Sequence, residues 1–230
     1  MSTFTKEHLD LEAIDAAKVD DAMRAIRAGE ISCAKELLLS VIENTPREYT
    51  YQTVTGDGAL SIKFWDKDEF IHYVNWMAPE REIIWMGSAY PRAFFHLGFI
   101  AVQQGTYDEA IDYLDQGALL EPSNPKFTLE KAHALIHLGE FNVALKLFSQ
   151  ISSEGPFVSR QSVSAALRGK GTALIEMGLL HDAESEFHES LKFDPENEIA
   201  HSELKYIAHL KAGGKALATI KLVKKNKEDV

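Results

Sequence analysis

The chain has 230 residues, 45% of them hydrophobic, and a formal net charge of −11 from 24 basic and 35 acidic side chains. That balance argues against a phosphate-backbone binder, which needs a basic surface, and no run approaches the ~18 apolar residues of a membrane span. Neither nucleic acid nor a membrane is therefore expected as a partner, and the single cysteine excludes an internal disulfide.

The N-terminal stretch MSTFTKEHLDLEA has no basic region followed by an apolar core, so no signal peptide is expected and the compartment expected is cytoplasmic. Residues 19–46 read as two amphipathic helices broken at Gly29. Cys33, beside Ile31 and Ala34, reads as a small buried hydrophobe. Residues 1–48 are expected to be N-terminal helices.

Residues 49–88 change character. Tyr49 to Thr55 is rich in Tyr, Thr and Val, Gly56-Asp57-Gly58 is a turn signal, and Ala59 to Trp65 alternates apolar and polar side chains. This predicts a β-hairpin. Asp66 and Glu69 have the spacing of a capping box, with Asp in place of Ser or Thr. A short helix should follow with Phe70, Ile71, Val74 and Met77 inward. Ile83-Ile84-Trp85 fits a third strand. A lone hairpin is marginal in water, so the insert should pack on neighbouring helices.

From residue 89 onward the chain repeats. Gly105, Ala110 and Pro122 recur 34 residues later as Gly139, Ala144 and Pro156, and after a further 39 as Gly178, Ala183 and Pro195. A fixed period of this size marks a helical solenoid. Within residues 91–124, Phe94, Leu97, Gly98 and Ala101 share one helical face, Gly105 ends that helix, and Tyr107, Ala110, Leu114 and Gly117 form the stripe of a second. The insertion at 159–163 contains no breaker and should lengthen a helix. Glu198 to about Lys211 reads as a further helix, broken at Gly213-Gly214, with a last helix from about Lys215. The lysines at 221, 224, 225 and 227 read as a solvated helix end.

These residues resemble the tetratricopeptide repeat: a bulky apolar residue, then Leu-Gly, then Gly-x-Tyr, then Ala, then Pro. Residues 91–124 match at nearly every position, 125–158 and 164–197 through Ala132, Gly139, Phe141, Ala144, Gly171, Gly178, Ala183 and Pro195. Lys131 and Lys170 stand where the pattern has Leu. A weaker copy aligns Gly29 with Gly105. The resemblance implies a mainly α fold, a helical-repeat solenoid over 89–230 with a small β-hairpin insert at 49–88.

It also implies a binding face. In this family the first helix of each repeat lines a concave surface, and aligned ligand positions are Arg92, Phe95, Phe99, Val102 and Gln103, then Lys126, Leu129, His133, Ile136 and His137, then Ala165, Arg168, Thr172, Ile175 and Glu176, with Tyr206 and His209 from the terminal helix. The apolar members would form a strip suited to a protein or peptide. The competing reading is that the N-terminal segment or the insert folds over this strip as core. The carboxylate clamp of chaperone-binding members needs Lys and Asn where this chain has Phe95, Phe99 and His133, so that mode is not expected. Residues 90–151 also resemble the repeats of type III secretion translocator chaperones.

No phosphate loop, nucleophile elbow, paired C-x-x-C or H-E-x-x-H is present. His133 and His137 are spaced i, i+4 but lack a third ligand nearby, so no metal or other cofactor is expected. The function expected is a non-catalytic adaptor or scaffold binding a peptide or helix. The alternative is a client-specific chaperone or inhibitor that sequesters an apolar segment of one partner. Homo-oligomerisation is left open.

Overall fold

The computed structural model describes residues 6–216. The helix expected from about Lys215 and the lysines at 221–227 lie outside this range. Among the described residues are ten helices and three strands: α1 (Lys6–Ala28), α2 (Ile31–Ile42), β1 (Gln52–Val54), β2 (Leu60–Phe64), α3 (Lys67–Met77), β3 (Ile83–Gly87), α4 (Tyr90–Gln104), α5 (Tyr107–Leu120), α6 (Pro125–His137), α7 (Phe141–Ser149), α8 (Arg160–Glu176), α9 (Leu180–Phe193) and α10 (Glu198–Lys211). The fold is mainly α, as expected, with a small sheet. It divides into two compact units, Met1–Phe127 and Thr128–Val230.

One local device makes the helix pairs. Gly29, Gly105, Gly139, Gly178 and Gly213 all have φ between 75° and 83°. In each case the glycine N–H bonds the carbonyl three residues back, and the next N–H bonds the carbonyl five residues back, as in Gly105→Val102 (3.0 Å) and Thr106→Ala101 (2.9 Å). This is the Schellman arrangement, which satisfies the last carbonyls of a helix and needs a residue that tolerates left-handed backbone. Its occurrence at Gly29 makes α1–α2 a helix pair built like the clear repeats.

In the first unit, α1, α2 and α4 share a core that includes Val19, Ala22, Leu38, Val41, Ala93 and Leu97. Gly98 lies against α5: a Cβ there would sit 2.7 Å from Leu114 Cγ. The sheet order is β1-β2-β3. β1 and β2 are antiparallel in the register Gln52↔Ile62, whereas β2 and β3 are parallel in the register Ile62↔Trp85. The parallel pair is connected through α3, as parallel strands require a crossover.

Several expectations for the insert need correction. The hairpin arm expected from Tyr49 is strand only over Gln52–Val54. β2 is not half-exposed: Ser61, Ile62, Lys63 and Phe64 are all buried. The reason is that both faces of this central strand are covered. Phe64 packs on Phe70 and Tyr73 of α3, while Lys63 reaches Glu12 of α1. On α3, Ile71 and Met77 point outward, at 42% and 48% exposed, and Tyr73 is the buried residue. Asp66 caps the helix, accepting from the Asp68 and Glu69 amides at 3.0 and 2.9 Å, but Glu69 reaches back to the Trp65 amide. Cys33 is exposed, because the α2 face that packs inward carries Ala34, Leu38 and Val41.

In the second unit, Gly169 faces the Phe148 ring and Gly171 faces the Phe187 ring, each leaving no room for a Cβ. The insertion at 159–163 does lengthen a helix: Ser159 caps α8 and residues 160–163 are helical. Asn197 caps α10, accepting from the Ala200 amide at 3.0 Å. Leu174 of α8, Ala183 and Phe187 of α9, and Ala200 and Ile207 of α10 form one core.

Candidate protein-binding surface

In the first unit the aligned ligand positions include Arg92, Phe95, Phe99, Val102 and Lys126. Phe95 is half-buried and touches the insert. Its ring meets Trp65 edge-on at 5.2 Å between centroids and Phe127 at 5.9 Å. Trp65, the residue immediately after β2, also meets Phe127 at 5.6 Å. Lys126 Nζ lies 4.5 Å from the Trp65 ring centroid, pairs with Glu69 at 2.5 Å and stands 3.6 Å from Asp66. Arg92 pairs with Asp20 of α1 and donates to the Ser88 carbonyl at 3.2 Å. Phe99 and Val102 are half-buried. The insert thus contacts Phe95 through Trp65 and leaves part of its surface exposed.

Trp65 is held by a buried carboxylate. Its Nε1 donates to Glu121 at 2.7 Å, and Glu121 also accepts from Ser88 Oγ at 2.9 Å and Asn124 Nδ2 at 3.2 Å. Burial pushes the Glu121 carboxyl up to about 7, against the opposing pull of those hydrogen bonds. Nearby, Lys63 donates to Glu12 at 2.7 Å with both side chains almost fully buried, and its ammonium lies 3.9 Å from the Tyr49 ring centroid. Burial lowers the Lys63 pKa, and the attraction of Glu12 opposes that shift. His96 is pushed down to about 3 by burial and then by Arg92 and Lys126, so its imidazole is neutral. The expectations from sequence missed Trp65, Glu121 and Phe127. The only local signal was a tryptophan placed directly before a helix cap.

In the second unit, Ile136 is 1% exposed, which makes it core rather than part of a ligand-facing strip. Helix α6 buries Ala132, Leu135 and Ile136 together, so its apolar face is wider than the repeat pattern assigns. Leu129 is half-buried. His133 packs edge-on against Phe148 at 5.2 Å, and burial pushes its pKa down to about 4. His137 is lowered by burial too. Arg168 donates to Ser164 Oγ at 2.7 Å and lies 4.0 Å from Asp194, while Ser164 in turn donates to the Ser190 carbonyl at 3.1 Å. Arg168 is thus already engaged in joining α8 to α9. Thr172 donates to the Arg168 carbonyl at 3.1 Å, and Ile175 and Tyr206 are half-buried. Among the described residues, no group of three or more His, Cys, Asp or Glu side chains could hold a metal ion, and no helix is long and apolar enough to cross a membrane.

Comparison with known proteins agrees with this architecture. Residues 101–171 match the family profile described as tetratricopeptide repeat. The human RNA polymerase II-associated protein 3 is 29% identical over 106 residues, which cover 46% of this chain and 15% of that protein. The chain therefore spans only a small part of the curated relatives it matches. Among solved structures, MamA 41-end from Desulfovibrio magneticus RS-1 covers 86% of both chains at 14% identity with a TM-score of 0.54. The first tetratricopeptide domain of Spaghetti, bound to the HSP90 peptide SRMEEVD, is 28% identical and covers 53% of this chain and 93% of that one, at a TM-score of 0.44. Residues 101–171 of the chain carry tetratricopeptide repeats. Such repeats are typically non-catalytic protein-interaction modules.

Proposed function

We propose that this chain is an adaptor that binds a peptide or helix of a partner protein through the first helices of its repeats. The observation that carries the reading lies on α8 and α10. Phe187, Ala200 and Ile207 complete the core between α8, α9 and α10, yet Thr172, Ile175 and Tyr206, at the aligned ligand positions, keep part of their surface in solvent. Among them a partly exposed tyrosine such as Tyr206 is a frequent anchor of an interface. Leu129, His133 and His137 of α6 supply one apolar and two polar contacts, the first histidine as a neutral donor or acceptor. In the first unit, Phe99 and Val102 are the corresponding positions not in ring contact with the insert.

The carboxylate-clamp mode finds no support in these residues. Phe95 and Phe99 carry no polar group, and Arg168 is engaged by Ser164 and Asp194. A second reading, a chaperone for one apolar client, is favoured by a different feature. The insert exposes Ile71, Trp76, Met77, Ile84 and Trp85, each between 37% and 49% accessible.

The test pairs affinity with stability. Partners are captured on the full chain, identified by mass spectrometry and titrated against Tyr206→Ala and Phe99→Ala. An anchor truncation should weaken binding by ~2 kcal/mol or more with little change in melting. Lost melting stability with unchanged affinity in both variants sinks the groove reading. Weaker affinity only for Trp76→Ala favours the chaperone reading.

A further inference from the structure

The seat around Trp65 is built like a recognition site, and it is already filled from within. Its walls are Phe95 and Phe127, whose rings meet the indole edge-on at 5.2 and 5.6 Å. Glu121 accepts from the indole N–H at 2.7 Å. Lys126 stands over the indole face at 4.5 Å. The same lysine receives the carboxylates that follow in sequence, Glu69 at 2.5 Å and Asp66 at 3.6 Å. Phe95 and Lys126 occupy positions that the repeat alignment assigns to ligand contact. The occupant is a short run, Trp65-Asp66-Lys67-Asp68-Glu69, at the point where the chain leaves β2 and enters α3.

We propose that this run is a tethered pseudo-ligand, and that its seat on α4, the α5–α6 junction and the start of α6 accepts from a partner an aromatic side chain followed by carboxylates. The proposal rests on the reading of the chain as a peptide-binding repeat protein and names the chemistry of the peptide. Each feature of the occupant has a matching group. The aromatic body fits between two rings, where edge-on pairs are favoured over stacked ones. The N–H needs a buried acceptor, and Glu121 is one. The cation over the ring face gains from the π system and from the carboxylates together. A basic or aliphatic peptide would leave Lys126 without a counter-charge and Glu121 with one donor fewer, Ser88 and Asn124 alone.

The tether sets the behaviour of the native chain. A segment held in cis competes at an effective concentration on the order of mM. A free peptide of the same sequence should therefore hardly bind the wild-type chain. A partner must bring additional contacts to displace the insert, and doing so would release α3 and its exposed Trp76 and Met77.

The experiment uses the full chain and a fluorescently labelled peptide, Phe-Trp-Asp-Lys-Asp-Glu-Phe, blocked at both ends and equal to residues 64–70. Binding is read by anisotropy for the wild type, Trp65→Ala, and Trp65→Ala combined with Lys126→Ala. Trp65→Ala should bind at least about tenfold more tightly than wild type, and the added Lys126→Ala should remove most of that gain. A peptide with Ala in place of Trp should not bind. The proposal is overturned if Trp65→Ala keeps its helical spectrum and cooperative melting but binds no better than wild type. If Trp65→Ala does not fold, Trp65→Leu is used in its place, and failure of both to fold shows that Trp65 is ordinary core, which also overturns it. Tyr206→Ala separates the two readings. If it weakens the captured partner while the peptide fails on Trp65→Ala, this inference falls and the adaptor reading stands.

Discussion

Glu121 concentrates the electrostatics of the first unit. Its folded pKa, raised by burial to about 7, means that the folded chain holds this proton more tightly than the unfolded chain does. The associated stability is fully present below the unfolded carboxyl pKa and is lost as pH rises through about 7. Over that window the wild type should lose on the order of 2–3 kcal/mol relative to Glu121→Gln, whose side chain cannot ionise. Urea unfolding of both proteins at pH 4.5 and pH 8 tests this, and parallel curves would refute it. The Glu12–Lys63 pair makes a different prediction. Glu12 Oε1 already lacks a hydrogen-bond partner, so Lys63→Met would strand a buried carboxylate. The expected cost is about 3–5 kcal/mol, with much of it recovered in Glu12→Leu/Lys63→Met, since an apolar pair avoids the desolvation cost. A double variant no more stable than the single one would mean that the pair is a net stabiliser.

At the scale of elements, the contact between α4 and α5 depends on the missing side chain of Gly98. Gly98→Leu should overpack against Leu114 and lower stability by ~1–3 kcal/mol or more, read as a drop in melting temperature. Unchanged melting would show that the two helices can separate freely. The elements most legible in sequence were those governed by local rules. Gly105, Gly139 and Gly178 announced their turns because left-handed backbone selects glycine, whereas how tightly a neighbouring helix approaches at Gly98 and Gly171 became visible only in the structure. The insert was legible only in part. Alternation along β2 said that one face is buried, but Lys63 also lies inward because a carboxylate 51 residues earlier in the chain meets it there. Ile71 and Tyr73 exchanged roles because the sheet, not the helix, decides which face of α3 is covered. Among aligned ligand positions, Ile136 proved buried and Phe95 proved to touch the insert for the same reason: the repeat pattern fixes a residue's place on its helix, while its surroundings depend on what packs there.

At the scale of the whole molecule, net charge is the property that sequence states outright. At pH 7 the −11 charge should keep copies apart. As pH falls, histidines charge and carboxylates begin to protonate, so repulsion fades. Two of the nine histidines contribute nothing to this until strongly acid pH, since burial holds His96 at about 3 and His133 at about 4. Solubility should pass through a minimum near about pH 5, where few net charges remain to oppose association of exposed apolar residues such as Trp76 and Trp85. Light scattering against pH checks this, and a flat profile from pH 8 to 5 would count against it. The placement of those tryptophans has another consequence. All three of the chain, Trp65, Trp76 and Trp85, lie in the insert, whereas the helix pairs contain none. Indole emission therefore reports the insert and far-ultraviolet dichroism reports the repeats, so two spectra of the unaltered chain distinguish undocking of one from melting of the other. The contacts that seat the insert close loops of 51 and 56 residues, while Gly98 and Leu114, which meet across one helix pair, are 16 residues apart, and long loops close later than short ones. On refolding, the dichroism signal should return first and the tryptophan signal second, and for that interval the place that Trp65 fills stands open.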